Sequence, residues 1–173
     1  DIAVAADGPN PVYLGNGNGG FSRTAQLGIA NSFDVAAGRF DNNSRRDVVF
    51  ANVGSDSRVW TKNSGAGFSS RDLLSVGDAV AVAAADLDND GDADIVLGRV
   101  PTGPGDLPTN PVFRNSGNGT FGNPIVNLGT SPTNDVLIGD VRNDGDAFPD
   151  LVFINASGAH QIWTQSGGSF SLH

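Results

Sequence analysis

The sequence has no cysteine, no methionine and no glutamate, a single lysine (Lys62), a single tyrosine (Tyr13) and only two histidines, His160 and His173. Each shortage removes a class of explanation. Without cysteine there is no disulfide framework, no thiolate nucleophile and no cysteine-ligated zinc or iron–sulfur centre. Helices draw on Glu, Lys, Gln, Leu and Met, so their scarcity argues against a mainly helical fold. No apolar run approaches the roughly 20 residues of a membrane-spanning helix, and the opening Asp1-Ile-Ala-Val carries no basic segment of a signal peptide. Positive charge is thin as well. Ten Lys+Arg stand against nineteen acidic residues, all aspartate, for a formal charge of −9. The arginines are scattered, so no nucleic-acid partner is expected. What remains is a chain of 173 residues, 38% hydrophobic, with 24 Gly and 9 Pro. It can build a core, and its length suits one domain or a piece of a larger one.

One pattern occurs four times. The turns Asn16-Gly-Asn-Gly-Gly-Phe21, Asn63-Ser-Gly-Ala-Gly-Phe68, Asn115-Ser-Gly-Asn-Gly-Thr-Phe121 and Gln165-Ser-Gly-Gly-Ser-Phe170 end on phenylalanines spaced 47, 53 and 49 residues apart. Ahead of each comes a β-branched residue and an aromatic: Val12-Tyr13, Val59-Trp60, Val112-Phe113 and Ile162-Trp163. Further upstream lies an aspartate followed by an apolar run, at Asp1, Asp47, Asp94 and Asp150. A run rich in small residues precedes the last three of these, at 34–40, 81–87 and 135–141.

Each unit reads as four short strands, with the last starting at the phenylalanine after a Gly/Asn turn. A period of about 40–50 residues with four strands per unit is the signature of a propeller blade. The fold class expected is all-β, a β-propeller of four-stranded antiparallel blades forming a single region, 1–173. Its repeats are expected at about 1–30 (lacking the inner strand), 31–77, 78–131 and 132–173. The ragged start favours a part of a larger propeller over a small closed ring or half of a dimeric one. Gly38, Ala85 and Gly139, at equivalent places in the first strand, suit a crowded channel wall. The registered aromatics are read as core between blades in preference to a sugar-stacking row.

Between the first and second strands of the third unit runs Asp86-Leu-Asp88-Asn-Asp90-Gly91-Asp92-Ala-Asp94, five carboxylates in nine residues. Like charges about 5 Å apart repel by roughly 3 kcal/mol per pair at an effective dielectric of 20, so a compact loop needs a cation. Positions 1, 3 and 5 turn toward one centre, Gly91 permits the turn, Asp92 offers at least its carbonyl, and Asp94 closes the shell. An all-oxygen donor set of this kind selects Ca²⁺. In the fourth unit Asp140, Asp144, Asp146 and Asp150 form a weaker copy, with Arg142 at the third position and two extra residues before the closing acid. Weaker metal binding is expected there. The second unit has Arg39 in place of the first acid and Ser44 in place of the glycine, followed by Arg45 and Arg46. That loop is expected to be metal-free and closed by Arg–Asp pairing.

The run Asp-x-Asp-x-Asp-Gly-x-x-Asp-Ile-Val, followed by Asn-x-Gly-x-Gly-x-Phe, resembles the FG-GAP/VCBS repeats of integrin α-subunit-like β-propellers. The similarity spans essentially the whole chain and is best in the third unit, Ala83 to Phe121. It implies a Ca²⁺-stabilised propeller on a secreted or cell-surface protein, in a family that includes adhesion modules, lectins and propellers of polysaccharide-active enzymes. Arg39, Arg142 and the insertion before Asp150 depart from the pattern.

No catalytic set is assigned. The histidines fall at non-equivalent places, there is no Gly-x-Ser-x-Gly elbow, and the clustered aspartates are accounted for by Ca²⁺. The expected role is therefore non-enzymatic: a calcium-binding extracellular module for protein or glycan recognition. The 100–110 insert, rich in Pro and Gly, is the first candidate surface. The alternatives are a self-assembling scaffold segment of an extracellular polymer and an accessory propeller of a polysaccharide-active enzyme.

Overall fold

A computed structural model describes residues 1–65, 67–72 and 77–173, the Asp72 side chain excepted. Ala66, in the second of the four repeated turns, therefore lies outside the described residues. Among those described the fold is all-β, without helix. The first sheet contains β1 (Ile2–Ala3), β2 (Asn10–Gly15) and β3 (Phe21–Leu27). The second contains β4 (Asn31–Gly38), β5 (Asp47–Val53), β6 (Arg58–Lys62) and β7 (Phe68–Asp72). The third is built from β8 (Ala79–Ala85), β9 (Asp94–Arg99), β10 (Asn110–Phe113) and β11 (Val126–Leu128), the fourth from β12 (Thr133–Gly139), β13 (Asp150–Asn155), β14 (Gln161–Ser166) and β15 (Ser169–Leu172). Every sheet is an antiparallel meander, the topology of a propeller blade.

The second strands show why the sheets stack. Along β9, Ile95 and Leu97 enter a cluster with Val49, Ala51 and Val59 of the second sheet, while Val96 enters one with Leu151 and Phe153 of the fourth. Alternate side chains thus serve opposite neighbours, as a period of two dictates. β5 does the same, sending Val49 and Ala51 toward the third sheet and Val48 and Phe50 toward Val12 and Leu27 of the first. A strand buried on both faces must be apolar throughout, which is why the run after each of these aspartates has no polar alternation. Each fully buried Phe or Leu stabilises the stack by about 1.5–3 kcal/mol. Three core clusters join first to second, second to third, and third to fourth sheet. None joins fourth to first among the described residues, so the four blades form an open stack.

Two local expectations are corrected. In the third repeat the fourth strand does not start at Phe121. Phe121 makes only an isolated bridge to Asn115 and turns its ring edge-on to Phe40, with centroids 5.7 Å apart, and the strand begins at Val126, beyond Gly122-Asn-Pro124. Crowding at the small residues of the first strand is also uneven. A Cβ on Gly38 would lie 2.8 Å from the Phe40 ring and 2.9 Å from Ala93 Cβ, whereas Gly139 faces open space. The crowding at Gly38 comes from Phe40 of its own repeat together with Ala93 of the next.

Candidate metal centre

The loops between first and second strands are held by one recurring device. In the second sheet Asp47, fully buried, accepts the Phe40 N–H at 2.9 Å with one oxygen and the Lys62 N–H at 2.7 Å with the other. In the third sheet Asp94 accepts from Leu87 (3.0 Å) and Asn115 (2.8 Å). In the fourth, Asp150 accepts from Val141 and Arg142 (3.2 Å each) and from Gln165 (3.0 Å). Asp1 accepts the Gly15 N–H at 3.0 Å. The closing aspartate is therefore a staple that ties the start of the loop to the end of the third strand. It occurs whether or not the loop carries further acids. Sequence reasoning counted Asp94 and Asp150 as ligands, and the staple was legible from Asp47, which keeps its place in a loop whose only other carboxylate is Asp41.

A second device links repeats. Asn115 donates from Nδ2 to the Phe40 carbonyl of the second repeat (2.9 Å) and to the Ala93 carbonyl of its own (3.1 Å), and Gln165 donates in the same way to the Leu87 carbonyl of the third. The second and third loops are thus each clamped by the turn of the following blade.

On this frame the third loop gathers three carboxylates. Oxygens of Asp86, Asp88 and Asp94 all lie within 4.8 Å of one another. The backbone that permits this has two left-handed residues, Asn89 (φ 62°) and Gly91 (φ 95°), in a region only Gly and Asn enter cheaply. Asp86 caps the turn by accepting the N–H groups of Asp90 (3.1 Å) and Gly91 (2.8 Å). Asp90 is exposed and accepts the Asp92 N–H at 2.9 Å, while Asp92 is directed toward Gly117, where an added Cβ would come within 2.7 Å of its Oδ2. Of the five acids, positions 1, 3 and 9 are brought together; neither Asp90 nor Asp92 belongs to the group.

The electrostatics of this group are unfavourable as they stand. Burial pushes the Asp94 carboxyl up to about 6, against the pull of the Asn115 and Leu87 N–H groups and with a further push from Asp88 and Asp90. Asp88 is also raised, by desolvation first, and by Asp90 and Asp86, with Arg114 opposing. Arg114 follows β10 and places Nε 2.8 Å from Asp88 Oδ2, but its N–H is not aligned for a hydrogen bond, so the contact is ionic only. The other oxygen, Asp88 Oδ1, is buried and has no hydrogen-bond partner. An orphaned anionic oxygen beside two further carboxylates fits a hard divalent cation, which would be held by Asp86, Asp88 and Asp94.

The fourth loop shares the backbone, with Asn143 (φ 52°) and Gly145 (φ 74°) at the matching places. Its charge is arranged differently. Arg142 reaches Asp144 Oδ2 at 2.7 Å, approaches Asp150 Oδ1 at 3.8 Å and donates to the Gln165 carbonyl at 3.0 Å. A guanidinium thus stands among the carboxylates at the position where the third loop has Asp88. Asp146 accepts the Phe148 N–H at 2.9 Å and Asp140 is exposed. Among the described residues, Asp140, Asp144, Asp146 and Asp150 do not come together as the third-loop acids do.

The second loop corrects the expectation of Arg–Asp closure. None of the ion pairs among the described residues involves Arg39, Arg45 or Arg46. Asn43 closes the loop instead, bonding Asp41 through its N–H (3.1 Å) and its Nδ2 (2.8 Å), with Nδ2 also donating to the Lys62 carbonyl at 3.0 Å.

Residues 39–97 match the family model of the FG-GAP-like repeat. The match covers about a third of the chain and contains the second and third acid loops with the strands between them. No curated protein matches the chain. Among the described residues neither histidine joins the acid group. His160 is exposed, and its Nδ1 accepts the Asn155 N–H at 3.1 Å, the place where Asn10, Ser57 and Asn110 accept from Ala6, Asn52 and Arg99 in the other sheets. It is a turn residue of the repeat.

Proposed function

We propose that the chain is a calcium-stabilised, β-propeller-type module that acts outside the cell by recognising a protein or glycan, and that it is not an enzyme. The observation that carries the metal reading is Asp88. One of its oxygens is orphaned and buried, the other is in an imperfect ionic contact, and two carboxylates lie alongside. A bound Ca²⁺ supplies positive charge to that group and ties the loop's turn to the stapled strand ends. Its role in this reading is structural. The recognition reading follows from what the frame leaves on its loops. The 100–110 insert is ordered by Asp106, which accepts from the Thr102 N–H (2.9 Å) and hydroxyl (3.0 Å), and it carries Leu107 at 70% exposure.

The test is thermal unfolding with Ca²⁺ and with chelator. At a dissociation constant of about 0.1 mM, 1 mM Ca²⁺ adds about 1.4 kcal/mol, or about 4 °C in Tm for a domain of this size. Asp88→Ala removes the response and Asp41→Ala leaves it intact. Equal responses in the two variants would refute the assignment to the third loop.

A further inference from the structure

The opposite rim, where the second and third strands turn, contains a cleft between the first and second sheets. It encloses about 380 Å³, within the range of about 300–1,000 Å³ typical of small-molecule sites. Trp60 forms one wall. Its ring is half-buried against the Val12, Leu27, Val48 and Phe50 cluster and keeps the remainder of its surface in the cleft. Gly28 (φ 66°) lets the backbone approach, so that an added Cβ would touch Trp60 Cζ2 at 3.5 Å, and Ile29 beside it is 84% exposed. Asn31, Ser55, Asp56 and Arg58 line the rest of the rim, Arg58 at the strand position that Gln161 holds in the fourth sheet. Among the described residues the Trp60 indole N–H, the Asn31 amide, the Ser55 hydroxyl and the Asp56 carboxylate have no side-chain hydrogen-bond or ion-pair partner.

The same place between the third and fourth sheets is filled. Gly129 precedes Thr133 as Gly28 precedes Ser32, and Trp163 matches Trp60. There the Trp163 indole N–H donates to Gln161 Oε1 at 3.4 Å, and that oxygen lies 2.5 Å from where a Cβ on Gly129 would be. Gln161 satisfies the indole and fills the space above the glycine. Two equivalent sites within one chain thus differ: one has its indole N–H satisfied by Gln161, the other leaves the Trp60 indole beside a cavity.

We propose that the cleft at Trp60 binds a neutral saccharide. A pyranose offers a face of polarised C–H groups to an aromatic ring and hydroxyls at its edge. The hydroxyls match the groups the cleft presents: a carboxylate acceptor at Asp56, an indole N–H donor, and an amide and hydroxyl that serve both ways. Asp56 and the chain's charge of −9 disfavour uronates and other acidic sugars, with Arg58 of the same lining opposing them. The proposal rests on the reading of the chain as a recognition module and narrows its ligand to a glycan at a defined place.

The experiment uses Trp163→Phe, which leaves Trp60 as the only tryptophan. The protein is titrated to about 50 mM with methyl glycosides of glucose, galactose, mannose and N-acetylglucosamine, and with glucuronate, following Trp60 emission and saturation-transfer NMR. At least one neutral glycoside shifts the emission and receives saturation transfer, glucuronate does neither, and Asp56→Ala weakens binding at least tenfold with Tm unchanged. Silence from every neutral glycoside in a protein whose Tm still responds to Ca²⁺ overturns the proposal alone. Silence with no Ca²⁺ response takes the module reading down with it. A glycoside bound equally well by the Asp56→Ala variant places the sugar elsewhere and also overturns the proposal.

Discussion

The acid loops of the third and fourth repeats have matching left-handed residues, Asn89 with Gly91 and Asn143 with Gly145, and each ends on a stapling aspartate. They differ in the origin of their positive charge. In the third loop the residue two places after the first acid is Asp88, and a guanidinium arrives from outside, off β10, in an ionic contact without hydrogen-bond alignment. In the fourth the same place is Arg142, whose guanidinium is paired with Asp144 and bonded to the Gln165 carbonyl. One loop neutralises itself with its own chain, and the other leaves a carboxylate oxygen orphaned. The lesson is that acid content does not rank these loops. What ranks them is whether a built-in cation already satisfies the acids.

Separating staple from ligand gives the largest expected effect. Asp47 belongs to a loop assigned no metal, so Asp47→Ala should destabilise equally with Ca²⁺ and with chelator. Losing both acceptors strands two buried amide N–H groups at about 1–3 kcal/mol each, a fall in Tm of roughly 10 °C. A small effect, or one that depends on Ca²⁺, would break the distinction. Next comes conversion of one loop into the other. Arg142→Asp removes the internal cation and supplies the missing carboxylate, so calorimetry should find the Ca²⁺ stoichiometry rising from one to two. An unchanged stoichiometry would mean that the two extra residues before Asp150, and not Arg142, set the difference.

Smaller effects sharpen the comparison. Asp94 titrates near 6 in the folded protein without metal, against an ordinary value of 3.8. A raised value means that the folded state holds this proton more tightly, so the contribution to stability is complete below 3.8 and is lost as pH rises through about 6. Chelated protein should therefore lose a few degrees of Tm between pH 4.5 and 7. Asp94→Asn should reduce that slope, and Ca²⁺ should offset the loss at pH 7 in the parent protein. The smallest effect belongs to Arg114→Gln, which withdraws a partly exposed cation from Asp88. Pairs of this kind contribute about 0.2–1 kcal/mol, so Ca²⁺ affinity should rise up to about fivefold, read by calorimetry. Weaker binding would mean that Arg114 orients Asp88 for the metal.

Much of the fold was legible because its cause is periodic. A strand buried on both faces must be uninterruptedly apolar, and the aspartate ahead of it must recur because the staple it forms recurs. Spacing pointed to all five acids from Asp86 to Asp94, and only Asp86, Asp88 and Asp94 are brought together. The elements that escaped depend on contacts between residues far apart in the chain. Arg114 reaches Asp88 from another strand. Asn115 and Gln165 clamp the preceding repeat's loop although they read as turn residues. Asn43 closes the second loop with an amide where three arginines drew attention to charge. Phe121 sits where the repeat pattern predicts the first residue of a strand, and its ring instead packs edge-on against Phe40 of the neighbouring repeat. Trp60 and Trp163 look alike in sequence, and only the packing of Gln161 against Gly129 separates them.

The claim that the third-repeat loop is a calcium site and the fourth is not is tested most directly by anomalous diffraction from crystals grown in calcium chloride. One strong peak is expected, bound by Asp86, Asp88 and Asp94, and none among Asp140, Asp144, Asp146 and Asp150. Water alone beside Asp88, or a peak of equal strength in the fourth loop, would contradict it.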